Sequence, residues 1–418
     1  MRLFSLTLKS LRQRKAGVAL TVFTIALSVF LLLGVERVRI EARQGFASTV
    51  SGTDLLVGAR SGPVTLLLYS IFHIGEATNN ITWKSYQDIR AMPEVAWTVP
   101  LSLGDSHRGF RVTGTSTAFF DHYHYGRGNA LAFASGKPFS DLYDAVIGSE
   151  VARQLHYKVG DSLVLSHGLG GPHLASHADK PFRVSGVMSP TGTPVDATIA
   201  VSLEAIEAIH VDWHSGIRLP GMEASAEQAR HMDLTPKAIT ATLVGLRSRL
   251  SAFAVQRAIN EYPEEPLLAV LPGVALGELW HLVGTAENAL RVVSGMVLLV
   301  GMSGMLTALL GMLGERRREM AVLRAVGAST RTVFALLVME STLLTIGGML
   351  AGVALLDAAT ALAHDYLIST AGLVIDGTPA PGEWPLLLLV LALGSLAGCI
   401  PGWVAYRRSL ADGLQVRL

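Results

Sequence analysis

Four long apolar runs constrain this chain more than any other feature. They are Ala16 to Val35, Val292 to Gly314, Thr332 to Leu356 and Trp384 to Tyr406. Each is long enough to cross a bilayer as a helix, which takes about 20 apolar residues. A helix satisfies its own backbone hydrogen bonds in lipid, so few other structures are open to such runs. Glu340 alone carries a charge within them. The first run follows Arg12, Arg14 and Lys15 and so resembles a signal peptide. An h-region, however, is only about 7–15 residues and leads to a cleavage site. This run is longer and continues into Glu36-Arg37-Val38-Arg39, so it reads as an uncleaved anchor.

Composition agrees. Of 418 residues, 50% are hydrophobic and 16% charged, against about 25% charged in soluble domains. A disordered chain is excluded by the same figures. The single cysteine, Cys399, excludes an internal disulfide framework and any multi-cysteine metal site.

Basic residues set the predicted orientation. Arg2, Lys9, Arg12, Arg14 and Lys15 precede the first span, and Arg316, Arg317, Arg318, Arg324 and Arg331 lie between the second and third. Arg407, Arg408 and Arg417 follow the fourth, whereas 357–383 holds no Lys or Arg. The expected plan is a cytoplasmic amphipathic N-terminus (1–15), a first span (16–35), an extracytoplasmic domain (36–291) and a second span (292–314). A cytoplasmic coupling segment (315–331), a third span (332–356), an outer loop (357–383), a fourth span (384–406) and a cytoplasmic tail (407–418) complete it. All 13 histidines then lie outside.

The outer domain alternates helix and strand signals, which predicts a mixed α+β fold carried on helical stalks. Ile81–Met92 reads as a helix, Val95–Val99 and Gly109–Thr115 as strands, and Ala145–Leu155 as a helix. Ser162–Ser166 and Phe182–Val187 read as strands, and Ser202 as the N-cap of a helix over Leu203–Ile209. Leu276, Leu279, Leu282 and Val283 form an apolar stripe ahead of the second span. The run Pro63–Ile74 is too short to span and reads as a core helix. Its alternative reading is an apolar surface touching the outer leaflet or a greasy substrate.

The segment Glu315-Arg-Arg-Arg-Glu-Met-Ala-Val-Leu-Arg-Ala-Val-Gly-Ala-Ser329 reads as a short amphipathic helix ended by Gly327. It resembles the coupling segment of the MacB/FtsX/LolC-type ABC transporter permeases. Leu6 to Lys15 is similar to that family's basic start. Ala145 to Leu155 with Val159-Gly-Asp161 looks like its periplasmic core, and Ile400 to Arg408 like its last span and tail. The resemblance implies a permease without a fused ATPase, paired with a second permease subunit as a homo- or heterodimer. A separate cytoplasmic ABC ATPase dimer would carry ATP and Mg, since no G-x-x-x-x-G-K-[ST] phosphate loop occurs here. Its implied contacts are Glu315, Arg316, Arg317, Glu319, Leu323, Arg324, Val326 and Gly327. No catalytic constellation is fixed by the sequence, and the chain itself reads as non-catalytic.

Two further features remain. Glu340 is an intramembrane acid, a functional candidate by default, though its place near the cytoplasmic end suits pairing with Arg331 or Arg324. The histidines gather in local sets: His122 and His124 after Asp121; His167, His173 and His177 around Asp179; His210 and His214 about Asp212. Imidazole and carboxylate suit Zn²⁺, and His167, His173 and His177 form the preferred candidate.

The expected function is mechanotransmission in a bacterial inner membrane, extracting or exporting a lipoprotein, lipid, peptide or hydrophobic drug. Membrane lipids and a periplasmic protein are the other expected partners, and nucleic acid is not one. An FtsX-like regulator of an external partner such as a cell-wall hydrolase is the alternative, and a zinc-handling system is a weaker one.

Overall fold

The computed structural model describes residues 14–49, 51–126, 128–168, 176–214, 217–218, 224–315, 322, 325–371 and 382–412. Its principal helices, in chain order, are α1 (Lys15–Ser48), α2 (Pro63–Ser70), α3 (Trp83–Arg90), α4 (Ser149–Leu155) and α5 (Leu203–His210). They continue as α6 (Ala252–Asn260), α7 (Pro272–Glu315), α8 (Thr330–Ala371), α9 (Glu383–Ala397) and α10 (Cys399–Asp412). The chain divides into two units: Met1–Ala42 with Gly284–Leu367 and Val374–Leu418, and Arg43–Val283 with Ile368–Leu373.

The first unit is helical. Among the described residues, four helical stretches are long and apolar enough to cross a membrane: Lys15–Ile40, Pro272–Gly311, Thr330–Ala363 and Glu383–Val404. α7 has 44 residues, which at 1.5 Å per residue is about 66 Å, twice the hydrocarbon thickness. Small residues let these helices approach closely, as lipid-embedded helices require. Gly348 and Gly352 of α8 form a notch for α1: a Cβ on Gly348 would stand 2.5 Å from the Ile25 Cβ, and one on Gly352 2.7 Å from the Ala26 carbonyl. Gly394 of α9 and the adjoining Gly398 form a second notch for the other side of α8. There added Cβ atoms would stand 2.8 Å from the Thr345 Cβ and 2.5 Å from the Ser341 Cβ. Thr342 of α8 also donates to Ser395 across this contact at 3.1 Å. Ile25, Val29, Leu298, Met305, Leu344 and Val390 are buried together between the helices.

The second unit is built on one eleven-stranded sheet. Its strands are β1 (Leu55–Ala59), β2 (Val95–His107), β3 (Phe110–Thr115), β4 (Phe133–Gly136), β5 (Asp144–Ile147), β6 (Ser162–Leu163), β7 (Ser166–His167), β8 (Phe182–Met188), β9 (Thr198–Ser202), β10 (Ala241–Leu246) and β11 (Leu267–Val270). The order is β11-β1-β10-β2-β3-β9-β5-β8-β4, with β7 beside β2 and β6 beside β8. The pairs β3–β9 and β5–β8 are parallel and the rest antiparallel, so the mixed α+β expectation holds. Side chains from both faces are buried, among them Leu56, Leu67, Val99 and Leu243 in one cluster and Ile147, Val184, Ile199 and Ile209 in another.

Local chemistry explains most element ends. Ser202 caps α5, its hydroxyl accepting from the Ala205 N–H at 3.0 Å, as its type and position predict. Thr82 caps α3 in the same way, so Ile81–Thr82 is a short strand and the helix begins later than expected. The Ala145–Leu155 helix is corrected more deeply. Ala145, Val146 and Ile147 are a fully buried strand between β9 and β8, and α4 starts at Ser149. A short buried apolar run has no periodicity to separate strand from helix. Gly148 makes the corner, where any Cβ would meet the Asp196 backbone. The strand expected over Ser162–Ser166 is two short pieces, β6 and β7. Pro63–Ile74 forms α2 and a turn. Leu66, Leu67, Ile71 and Phe72 are core residues, which overturns the membrane-touching alternative. Of the Leu276–Val283 stripe, Leu276 is buried in the sheet unit while Leu282 is 70% exposed.

Candidate functional site

The richest chemistry lies where β2, β7 and α5 meet. β2 carries a bulge between Leu103 and Ser106, an irregularity that re-aims neighbouring side chains. Within it, Asp105 is the register partner of His167 on β7, so the two face the same side. His210, the last residue of α5, completes a group of three whose ligand atoms all lie within 4.8 Å of one another. His167 Nδ1 lies 3.2 Å from Asp105 Oδ1 and 3.3 Å from His210 Nε2. His210 Nε2 lies 3.7 Å from Asp105 Oδ1. Asp105 is buried and His167 about half exposed.

Hydrogen bonding sets the tautomer of His210. Its Nδ1 lies 2.8 Å from the Ile206 carbonyl, which only accepts, so Nδ1 carries the proton and the neutral ring presents a lone pair at Nε2. The bond to Asp105 raises the His167 pKa above its ordinary value, against the effect of burial. His177 packs behind, its ring centroid 5.0 Å from those of His210 and Trp213. It is 1% exposed, and among the described residues its Nε2 has no hydrogen-bond partner. Burial first, then the neighbouring His210, push its pKa down to about 4. A buried Lys180–Asp212 pair at 2.9 Å adjoins this group.

Of the preferred histidine set, His167 and His177 are thus both brought against His210, while His173 lies outside the described residues. Asp105 belongs to the group although it is 62 residues from His167 in sequence; strand pairing, not local spacing, supplies it. His122 stacks on Trp97 at 4.7 Å, and His124 bonds to the His122 carbonyl, so that set serves packing.

A second concentration of charge lies in the helical unit. Arg37 of α1 gripped by Glu383 of α9 makes a two-pronged pair, Nε to Oε1 at 2.8 Å and Nη2 to Oε2 at 3.0 Å. Its Nη1 donates to Asp357 of α8 at 2.9 Å. Arg37 and Glu383 are each 1% exposed, Asp357 43%. Three helices are therefore clamped through one guanidinium. The sequence offered a signal: Arg37 just follows the first run, Asp357 the third, and Glu383 just precedes the fourth, all on the expected outer side.

The expected coupling contacts fall mostly outside the described residues: Arg316, Arg317, Glu319, Leu323 and Arg324 do, and for Glu315 only the backbone is described. Val326 is 84% exposed and Gly327 has φ +94°, a conformation suited to glycine at a helix end. Glu340 is buried on α8. Arg331 lies nine residues before it, about 14 Å along the axis and on the opposite face, so the expected pairing with Arg331 does not form within the helix. Arg324 lies outside the described residues.

Comparison with known proteins adds the family. The MacB-like periplasmic core domain family matches residues 18–262, and the FtsX-like permease C-terminal family matches residues 291–412. The chain belongs to the MacB/FtsX-type permeases. An uncharacterized ABC transporter permease of Methanocaldococcus jannaschii is 26% identical over 278 residues, covering 64% of this chain and 60% of that protein's own length. Among solved structures, the periplasmic region of MacB from Actinobacillus actinomycetemcomitans is 9% identical with a TM-score of 0.34, over 55% of this permease and 94% of that chain. The extracellular domain of the noncanonic ABC-type transporter YknZ from Gram-positive bacteria is 13% identical with a TM-score of 0.30, over 52% of this permease and 99% of that chain.

Proposed function

We propose that this permease is the membrane half of an ATP-driven machine whose ATPase is a separate chain, and that it acts by transmitting motion. The observation that carries this reading is α7. One uninterrupted helix begins directly after β11 at Pro272, includes the second apolar run and ends at Glu315, where the coupling segment begins. A continuous helix is stiff along its axis, because each turn is bonded to the next. Movement imposed on 315–331 by ATPase closure would reach the sheet unit without a channel opening. In the family's arrangement two such subunits sit on two ATPases, with both termini and 315–331 in the cytoplasm and the sheet unit outside. The moved substrate would be a lipoprotein, lipid, peptide or hydrophobic drug.

The test is affinity purification of the full chain from its native membrane, beside a Val326→Asp variant. The wild type should retain an ABC ATPase, and the variant should lose at least about tenfold of it, because a buried unpaired carboxylate disrupts an apolar contact. Val326 is 84% exposed here, so the fold itself should tolerate the change. Absence of any ATPase, or equal retention by the variant, would refute the reading. A co-purified lipoprotein or lipid would name a transported class, whereas a cell-wall hydrolase would point to FtsX-like regulation.

A further inference from the structure

We infer that Asp105, His167 and His210 form a binding site for a divalent metal ion of the zinc class on the sheet unit, with His177 beside it as a third imidazole. The argument begins with spacing. Zinc holds imidazole nitrogen and carboxylate oxygen at about 2.0–2.1 Å in a tetrahedron, which puts donor atoms about 3.3 Å apart. The three donor atoms here stand 3.2, 3.3 and 3.7 Å from one another. They converge from three separate elements, β2, β7 and the end of α5, so local chain geometry does not account for the coincidence.

The proton inventory points the same way. Asp105 offers only acceptor atoms when ionised, and His210 offers a lone pair at Nε2, since its Nδ1–H is committed to the Ile206 carbonyl. Metal-bound histidines characteristically spend their other ring nitrogen on such an outer partner. Only a proton on His167 Nδ1 stands between two acceptors. A cation satisfies all three at once. For that, His167 shifts its proton to Nε2, which frees Nδ1, and the tautomer change neither releases nor consumes a proton.

A second observation is His177. Among the described residues its buried Nε2 has no hydrogen-bond partner, an arrangement that is destabilising unless something compensates it. Its ring centroid lies 5.0 Å from that of His210, so it packs directly against one of the proposed ligands. The half-exposed His167 leaves an entry side open to solvent. Nitrogen-rich donors with a single carboxylate favour zinc over calcium or magnesium, which prefer oxygen.

The inference is independent of ATPase coupling and is tested without ATP. The full chain, purified in detergent with its affinity tag removed and its metal stripped by chelation, is titrated with Zn²⁺ against a chromophoric competitor. One ion per chain should bind. His167→Gln and His210→Gln should each weaken binding by about 100-fold or more, beyond the 10–100-fold typical of losing only an outer partner. His231→Gln, on an exposed residue elsewhere, should change nothing. Cobalt substitution gives a second readout: the wild type should show the visible absorption of a tetrahedral site, and His167→Gln should abolish it. His167 is half exposed, so that variant keeps the fold even if His210→Gln does not. Failure of the wild type to take up one zinc, or unchanged affinity in His167→Gln, would overturn the site.

Discussion

Removing Glu383 tests the reasoning about buried charge most sharply. Arg37 and Glu383 are each 1% exposed and share two hydrogen bonds of 2.8 and 3.0 Å. Removing one partner of such a pair strands the other charge and costs about 3–5 kcal/mol. Asp357 donates nothing and accepts one bond of 2.9 Å, but it is 43% exposed and screened by solvent. Its loss should cost about 0–1 kcal/mol. Glu383→Gln should therefore destabilise several times more than Asp357→Asn, although both delete one negative charge beside the same guanidinium. The double variant Arg37→Met with Glu383→Met should recover much of the loss, because the stranded charge is gone. Unfolding of the full chain in mild micelles titrated with SDS, followed by circular dichroism, measures the wild type, Glu383→Gln, Asp357→Asn, the double variant and its two singles, Arg37→Met and Glu383→Met. Equal effects of Glu383→Gln and Asp357→Asn, or a double variant as unstable as the sum of its singles, would refute the assignment of the energy to burial.

Two further outcomes are expected, beside the ATPase and zinc tests above. Gly352→Leu should destabilise the helical unit by about 1–3 kcal/mol, since even its Cβ would stand 2.7 Å from the Ala26 carbonyl and 2.8 Å from the Val29 Cβ; the same SDS titration reads it, and an unchanged midpoint would mean the helices do not meet there. His73, bonded to Thr198 at 3.2 Å, has its pKa pushed down to about 4 by burial and then by Arg111. Between pH 6.5 and about 4 the unfolded chain binds a proton that the native chain does not, so stability is full above 6.5 and falls as pH drops through this window. Thermal unfolding of His73→Gln should show a shallower loss over that range, and an identical pH slope would contradict the depressed pKa.

The membrane architecture was legible because lipid permits so few solutions. Runs such as Ala16–Val35 announce a helix by length and lack of charge, whatever their neighbours. Caps were legible where one side chain does the work, as at Ser202. The buried strand Ala145–Ile147 was not, because a residue hidden on every side loses the alternation that marks a half-exposed strand. The histidine group was half legible. His167 and His177 drew notice by crowding in sequence, but Asp105 enters only through the β2–β7 register and His210 only because α5 ends beside them. The Arg37 clamp shows the same limit: its three residues stood at the ends of three runs, and no local pattern tied them together. Contacts made by chain topology leave no spacing rule behind.

The glycine notches on α8 also have a consequence for movement. Gly348 and Gly352 receive α1 on one side, and Thr345 and Ser341 fit Gly394 and Gly398 on the other. Each pair of notches is four residues apart, about 6 Å along a helix. Sliding by less than that step drives a side chain against backbone. α8 can therefore stay in register or jump a full step, but it has no smooth path between. Inside this bundle, displacement would be counted in clicks: each notch resists sliding of its own helix pair, and α8 leaves both neighbours only when both notches are unseated.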